Sequence, residues 1–429
     1  MLGKMETTAT EQTFKSYISF WSGQLFSLLG SSIVQIVIIY WITIETENLT
    51  IISIAAFFSF LPIFILGPIA GVFADRWNRK LLIGLSDFFQ ALTTLSLVLF
   101  FFFNIQQVWL IILINSIRSV FQAFHWPVVN AIIPLMIPKK HLSRMNGINY
   151  FFTGLVNTMG PIIAVSLLLL FPIDQILWVD IITFLIAITP LILIKIPSLP
   201  KKPITKHKKS YLKEFKMGFN AIKIVPGLLT LLFVATILNF LGNPFNTLMI
   251  YYIKVTHAGT DSNLAIVLAS IQAGMFVGAM IVVTKKVWNK KPLIIFGGIL
   301  VGEVGHLILA MAPPQNFIMI SIGGFLFAFI VPFVNTMFLT ILQTVIPPDK
   351  QGRVMSNVIT IVTLVSPVAM IISGPIAELI GITTLFIICA VLNIIFVICV
   401  WIFSNVRNND YDKVYDYELD ENINYQNSF

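Results

Sequence analysis

Long apolar stretches separated by short polar breaks follow one another along almost the whole chain. A helix needs about 20 apolar residues to cross a bilayer, and lipid offers no partner for unpaired backbone groups. Twelve apolar stretches reach that length, at residues 18–43, 51–73, 82–103, 108–135, 146–170, 176–194, 227–253, 263–284, 293–312, 317–346, 354–378 and 383–403. The pattern therefore predicts an all-α membrane protein with twelve transmembrane helices.

The longer polar segments divide the chain into domains. We predict an N-terminal segment, a six-helix bundle, a basic linker, a second six-helix bundle and an acidic tail, at residues 1–17, 18–194, 195–226, 227–403 and 404–429. The linker is rich in lysine and proline, and its part from Ser210 to Lys223 is expected to form an amphipathic helix on the membrane. The tail is expected to be disordered because it is polar and acidic.

The composition agrees with this prediction, because 57% of the residues are hydrophobic and only 11% are charged. Soluble domains carry about 25% charged residues. With the N-terminus in the cytoplasm, nearly every Lys and Arg falls in a cytoplasmic segment; Lys254 lies outside, and Arg118 lies inside a span. The positive-inside rule therefore predicts a multi-pass protein of the cell membrane with both termini cytoplasmic. The net charge of +8 then meets anionic headgroups, so lipids rather than nucleic acid are the expected partners.

Three short motifs of the first half return in the same order about six spans later. WNRK at 77–80, AFHWPVVN at 123–130 and IPKKHLSR at 137–144 return as WNKK at 288–291, AFIVPFVN at 328–335 and IPPDKQGR at 346–353. Three matches in one order indicate a duplication. We therefore expect two six-helix bundles in a pseudo-twofold parallel repeat, a plan used by transporters that bind substrate near the bilayer midplane.

The segment GPIAGVFADRWNRK at 67–80 resembles the loop 2–3 signature of the major facilitator superfamily, G-x-x-x-G-x-x-x-D-R-x-x-R-K. The matching residues are Gly67, Gly71, Asp75, Arg76, Arg79 and Lys80. Asn78 replaces a usual glycine, and asparagine also tolerates left-handed backbone geometry. Longer runs, among them IRSVFQAFHWPVVNAIIPLMIPKK and IPPDKQGRVMSNV, resemble the macrolide-efflux branch of drug exporters within that superfamily.

The resemblance implies that this segment is a conformational latch between the two bundles, with Asp75 capping the helix of span 11. Gly67 and Gly71 lie on one helix face, where small residues let a neighbouring helix approach closely. The alternative is that these charges only set the topology. In the second half Lys286 stands in the place of Asp75, so no second latch is expected.

Ionisable groups inside spans are costly and mark functional sites. The proton-coupling candidates are Asp87, Arg118, Asp180, Glu303 and His306. The alternative is structural pairing, of Arg118 with Asp180 or Asp87 and of Glu303 with His306. The resemblance implies that spans 3, 6 and 9, which hold the carboxylates, are peripheral, and that span 4 borders a central cavity.

The same resemblance implies that spans 1, 4, 7 and 10 line this cavity. The substrate-binding candidates are Gln24, Gln35, His125, Trp126, Asn130, Asn239, Asn243, Asn246 and Asn335. His125 lies two helical turns from Arg118 on the same face and can titrate near neutral pH, although a packing histidine is the alternative.

The sequence has no phosphate-binding loop, zinc motif or nucleophile elbow, so we expect neither an enzyme nor an ATP-driven pump, and no cofactor or metal. Cys389 and Cys399 are about 15 Å apart along one helix, too far for a disulfide. We expect a monomer that exports amphipathic drugs such as macrolides in exchange for protons. The alternatives are an exporter of a siderophore, lipid or peptide, or a non-transporting membrane sensor.

Overall fold

A computed structural model describes residues 9–194, 196, 219–220, 222–285, 288–409 and 411. The chain divides into two compact units, Met1–Ile204 with Gly259–Ala265 and Thr205–Ala258 with Ile266–Phe429, called here the first and the second unit. The first six helices are α1 (Glu11–Thr46), α2 (Leu49–Arg76), α3 (Arg79–Phe102), α4 (Val108–Met136), α5 (Lys139–Leu168) and α6 (Ile173–Leu193). The others are α7 (Leu228–Tyr251), α8 (Asp261–Thr284), α9 (Lys291–Ala310), α10 (Phe317–Val345), α11 (Pro348–Leu364), α12 (Ser366–Ile380) and α13 (Ile382–Phe403).

Twelve helical segments of the described residues are long and apolar enough to cross a membrane, which confirms the predicted span count. The eleventh span, Val354–Ile380, contains the end of α11 and all of α12. Its helix breaks at Val365, because Pro367 has no N–H to donate to the carbonyl of Thr363. The protein is therefore a multi-pass, all-α membrane protein.

The first helix begins before the apolar stretch that predicts it. Thr10 and Thr13 form a capping box, in which each side-chain oxygen accepts from the other residue's backbone N–H, at 2.9 and 3.2 Å. Thr13 Oγ1 also donates to the carbonyl of Met136 at the end of α4, at 2.9 Å. The polar first turns therefore belong to the helix, although their composition places them outside the lipid-facing stretch.

The duplicated IPKK and IPPD motifs build the same corner in each unit. Helices α4 and α10 both contain 29 residues and are followed by Ile137 and Ile346, each only 1% exposed. Pro138 and Pro347 come next and precede the first residues of α5 and α11. A proline disfavours helical geometry in the residue before it, so the motif ends one helix and starts the next.

The ends of the predicted linker and the start of the tail pack into the second unit. Ile222 and Val225 are buried in its core, and the part of the linker from residue 197 to 218 lies outside the described residues. Asn405–Asn408 form a turn of 3-10 helix, and Val406 and Tyr411 are buried in the same core. The beginning of the tail therefore differs from the predicted disorder, because it carries two side chains that fill this core; residues 412–429 lie outside the described part.

Gly227 provides the surface on which the start of the tail lies. Its φ is +78°, a conformation that residues with a side chain rarely adopt. A Cβ at this position would collide with the Tyr411 hydroxyl and the Asn409 amide nitrogen. Glycine is therefore required here both by the backbone and by the contact.

Helices α9 and α10 touch through two glycines. A Cβ on Gly323 would lie 2.6 Å from the Gly305 carbonyl oxygen, and a Cβ on Gly305 would lie 2.8 Å from the Gly323 carbonyl oxygen. Small residues of this kind let two membrane helices bring their backbones into contact. The pair therefore fixes the separation of α9 from α10.

The Gly323→Ala variant is expected to lose about 1 to 3 kcal/mol of stability, because backbone atoms on α9 cannot move aside as a flexible side chain would. The measurement is thermal unfolding of the purified protein in detergent. Gly297→Ala on α9 is the matched control, since a Cβ there would meet no atom within 4 Å. Equal melting temperatures for the two variants would contradict the prediction.

Candidate functional site

Four helices of the first unit bring polar side chains together in two layers. Helices α1, α3 and α4 each contribute two residues that are seven positions apart and therefore share a helix face. The pairs are Gln24 with Ser31, Asp87 with Thr94, and His125 with Arg118. Seven residues rise about 10 Å along a helix, so the two layers are separated by about that distance.

The first layer joins Gln24, Asp87 and His125. The Gln24 Nε2 atom donates to Asp87 Oδ2 at 3.1 Å. His125 Nε2 lies 2.7 Å from Gln24 Oε1 and 3.2 Å from Asp87 Oδ1. Because the amide oxygen can only accept, the ring hydrogen is on Nε2. The three side chains thus close a triangle of hydrogen bonds around a carboxyl group that is only 3% exposed.

The second layer is centred on Asp180 of α6. Its Oδ2 atom accepts from Thr94 Oγ1 at 2.6 Å and lies 3.5 Å from Arg118 Nη2. Its Oδ1 atom accepts from Ser31 Oγ at 3.1 Å, and Arg118 Nη2 also donates to the Ser31 carbonyl at 3.3 Å. Of the two carboxylates that the sequence leaves open, Arg118 therefore pairs with Asp180.

Two glycines of α1 let α6 carry Asp180 into this layer. A Cβ on Gly30 would lie 3.0 Å from the Cα atom of Asp180, and a Cβ on Gly23 would lie 3.1 Å from the Cα atom of Ala187. The backbones of α1 and α6 therefore approach closely at both positions. Asp87 and Asp180 thus reach side chains of α1 and α4 within the first unit, and the expectation that spans 3 and 6 are peripheral to the central cavity stays a prediction.

The two layers differ in the charge that faces their carboxyl group. Asp180 faces Arg118, whose guanidinium carries a permanent positive charge. Asp87 faces His125, whose charge depends on its protonation, and Gln24, which is neutral. The first layer therefore changes its total charge when Asp87 or His125 exchanges a proton with water, whereas the second layer contains the permanent charge of Arg118.

A third polar cluster lies in the second unit, between α9 and α13. Glu303 Oε2 lies 3.2 Å from His306 Nδ1, and Asn393 Nδ2 donates to Glu303 Oε1 at 2.8 Å. Glu303 is 4% exposed and His306 is 1% exposed. The cluster joins two of the sequence candidates to a residue on a neighbouring helix.

Phenylalanine rings surround the imidazole of His306. The ring centroids of Phe245, Phe327 and Phe386 lie 5.2, 5.5 and 5.8 Å from that of His306. The His306 Nε2 atom is buried and has no hydrogen-bond partner among the described residues. The imidazole therefore makes its polar contact through Nδ1, and its orientation is fixed by Glu303 and by packing.

A cavity of about 480 Å³ lies within the second unit, beside this cluster. Its amide and carboxyl side chains are Asn239, Asn243, Asn246, Gln272, Glu303 and Asn335. Apart from Ser366, the other residues that line it are apolar, and they include Phe245, Phe327 and Phe338. The structure thus brings four asparagines of α7 and α10 together with Glu303 around one space.

The asparagines of α7 turn their amide nitrogens back onto their own helix. Asn239 Nδ2 donates to the Ala235 carbonyl at 2.9 Å, Asn243 Nδ2 to the Asn239 carbonyl at 2.6 Å, and Asn246 Nδ2 to the Gly242 carbonyl at 3.4 Å. A carbonyl can only accept, so the nitrogen of each side chain must face it. Each of the three amides thereby keeps its oxygen as an acceptor and one N–H as a donor.

Comparison with known sequences decides the family. The family described as Major Facilitator Superfamily matches residues 20–366 and 288–414. The chain belongs to the major facilitator superfamily. Its two units of six spans each and its repeated corners are those expected of this superfamily.

Relatives of known name are also similar over most of their length. Macrolide efflux protein A of Streptococcus pyogenes is 27% identical over 394 residues, which cover 92% of this chain and 97% of that protein. The multidrug efflux pump Tap of Mycolicibacterium fortuitum is 22% identical over 366 residues, or 82% of this chain and 87% of that one. These similarities confirm the resemblance to the macrolide-efflux branch of the superfamily.

A solved structure shares the fold at lower identity. A bacterial homologue of the human lysosomal transporter Spinster matches with a TM-score of 0.64 and 14% identity, over 93% of this chain and 97% of that one. At this identity the likeness shows the fold alone. The transporter assignment therefore rests on the family and on the similar sequences, and the solved structure adds the fold.

Part of the superfamily signature lies where side chains are described. Lys80 Nζ donates to the carbonyls of Ile192 and Ile194, at 2.7 and 2.8 Å, and so caps the end of α6 within the first unit. A Cβ on Gly67 would meet no atom of the described side chains and backbone within 4 Å, and the close helix approach predicted there stays a prediction. Arg79 is half-buried. The side chains of Gly71, Asp75 and Arg76, and with them the latch, lie outside the described part.

The remaining candidates take no part in the clusters. Gln35 and Asn130 are half-buried and belong to neither layer, and the side chain of Trp126 lies outside the described part. Asn335 lines the cavity of the second unit but not the polar cluster beside it.

Five polar residues of these sites, among them Ser366 of the cavity, were missed in the sequence. Ser31 and Thr94 could have been found because each lies seven positions after a candidate, Gln24 or Asp87, on the same helix face. Asn393 is the one amide side chain in α13, an apolar helix in which a buried amide must have a partner. Gln272 of α8 gives no such signal, since it lies in a span that the resemblance does not assign to the cavity.

Proposed function

We propose that this transporter exports amphipathic drugs such as macrolides in exchange for protons, by alternating access, with both termini in the cytoplasm. The triangle of Gln24, Asp87 and His125 carries the proposal. It places a carboxyl group and an imidazole in contact inside a membrane bundle, away from the permanent charge of Arg118. Such a pair can hold or release a proton without breaking an ion pair that the bundle needs.

The burial of the two groups suggests the route of the proton. The side chain of Asp87 is 2% exposed, whereas that of His125 is 18% exposed. His125 is therefore the more accessible of the two groups, and Asp87 lies behind it. A proton from outside enters at His125 and is held at Asp87, and its release accompanies the return of the empty protein.

The proposed substrate class rests on the names of the similar proteins and on the residues that line the cavity of the second unit. Macrolide efflux protein A and the pump Tap are named as exporters of drugs, and they are similar to this chain over most of its length. The cavity of the second unit combines apolar walls with a few amide groups, as sites for amphipathic molecules do. Both observations favour a drug-like amphiphile over a highly charged cargo.

Inside-out membrane vesicles test the proposal. Vesicles that contain the protein are expected to accumulate a radiolabelled macrolide when their lumen is acidified, and a proton ionophore is expected to abolish the accumulation. Vesicles from the same host without the protein are the control. Equal accumulation with and without the proton gradient would refute the coupling, and equal accumulation with and without the protein would refute macrolide export.

A further inference from the structure

The cavity of the second unit contains a single ionisable side chain among the described residues that line it, Glu303. One carboxyl group in an otherwise neutral lining matches one positive charge on a ligand. A buried carboxylate is stabilised by each cation or donor that faces it, so a ligand amine would add to the contacts of His306 and Asn393 and favour binding of a cation over a neutral analogue. The volume of about 480 Å³ is in the range of small-molecule sites.

His306 and Asn393 position Glu303 without using all of its acceptor sites. Each of them contacts a different oxygen of the carboxyl group, at 3.2 and 2.8 Å. A carboxylate has about four lone-pair sites, so a further donor from the cavity can reach it. The contacts hold the group in one orientation, which reduces the cost of ordering it when a ligand binds.

The rest of the cavity favours a ligand that is apolar and carries hydroxyl groups. Asn239, Asn243 and Asn246 each donate one N–H to the helix and keep the amide oxygen as an acceptor and the second N–H as a donor. Hydroxyl groups of a ligand can donate to these oxygens. Phe327 and Phe338 provide apolar contact area on the α10 side.

We propose that this cavity binds a singly charged cationic amphiphile with hydroxyl groups, and that Glu303 is the counter-ion of its amine. The site lies within the second unit, apart from the proton-holding layer of the first unit. The inference deepens the proposed function and rests on it for the step of export, whereas binding itself can be measured separately. His306 and Asn393 are positioning residues.

Two probes test the site by titration calorimetry on the purified protein in detergent. One is a macrolide with a single tertiary amine, and the other is the same macrolide with the amine replaced by hydrogen. The wild-type protein is expected to bind the first about ten to a hundred times more tightly, as a charge-assisted hydrogen bond requires. This comparison depends on no variant, so it holds even if one fails to fold.

Glu303→Gln is expected to remove this difference by weakening the binding of the amine probe alone. Asn246→Leu is expected to weaken both probes by about two- to tenfold, because it removes an acceptor for hydroxyl groups. Glu378→Gln is the matched control: Glu378 is an exposed carboxylate on α12 that does not line the cavity. It is expected to bind both probes as the wild type does.

The outcomes separate the site from the export. Equal affinity of the wild type for both probes, binding of neither probe, or unchanged discrimination in Glu303→Gln would overturn the site. If the protein discriminates between the probes but the inside-out vesicles do not accumulate a macrolide, the result supports the binding site and refutes macrolide export. If the vesicles accumulate a macrolide while both probes bind with equal affinity, the result supports export and refutes the proposed role of Glu303.

Discussion

The Asp87→Asn variant is expected to lose proton-driven accumulation of substrate while it keeps substrate exchange. Asparagine has the size of aspartate and can hydrogen-bond Gln24 and His125, but it cannot take up a proton. One coupled proton supports about a tenfold substrate gradient per pH unit, since one unit corresponds to about 1.36 kcal/mol. The Asp87→Asn variant should therefore lose the entire substrate gradient that a pH difference produces in the wild type.

The measurement uses proteoliposomes with the membrane potential held at zero and a pH step imposed. Accumulation and exchange of a radiolabelled macrolide are followed in the same preparation. Asp174→Asn, at the start of α6 and outside both layers, is the matched control and should accumulate substrate as the wild type does. If Asp87→Asn still responds to the pH step, Asp87 is not the proton-holding group.

The Arg118→Met variant is expected to lose about 3 to 5 kcal/mol of stability. Asp180 is 4% exposed, so its carboxylate would stay buried after its cation is removed. An uncompensated buried charge of this kind strongly destabilises the folded state. The hydrogen bonds from Ser31 and Thr94 would be left to stabilise the group alone. Thermal unfolding in detergent measures the loss.

The double variant Arg118→Met with Asp180→Asn separates this cause from a loss of packing. Asparagine removes the unpaired charge and keeps hydrogen-bonding capacity, so the double variant is expected to recover most of the stability. A double variant that is less stable than Arg118→Met alone would contradict the assignment of Asp180 as the partner. Asp87→Asn in the Arg118→Met background is the control, and it should bring no recovery.

The spans could be predicted from the sequence because the length of an apolar run directly reflects the thickness of the bilayer. The corner after α4 could be predicted from its repeat after α10, since the same isoleucine and proline recur in both. Composition alone could not show that α1 begins at Glu11, because its first turns are stabilised by Thr10 and Thr13 rather than by apolar contacts.

The partners of the charged groups could not be predicted, because they depend on how closely helices approach. Arg118 meets Asp180 since Gly23 and Gly30 bring α6 against α1, and the sequence gives no distance between those helices. The surroundings of Glu303 could not be predicted for a related reason. Its span was expected to be peripheral to the central cavity, and the sequence does not show that Glu303 lines a cavity within the second unit together with asparagines of α7 and α10.

The order of the two layers in the first unit has a consequence for ion leakage. In the proposed topology α4 runs from the outer face inward, so the pair of Arg118 and Asp180 lies about 10 Å nearer the outside than His125. A proton from outside therefore has to pass the level of this ion pair before it reaches His125 and Asp87, and the pair limits uncoupled entry of protons.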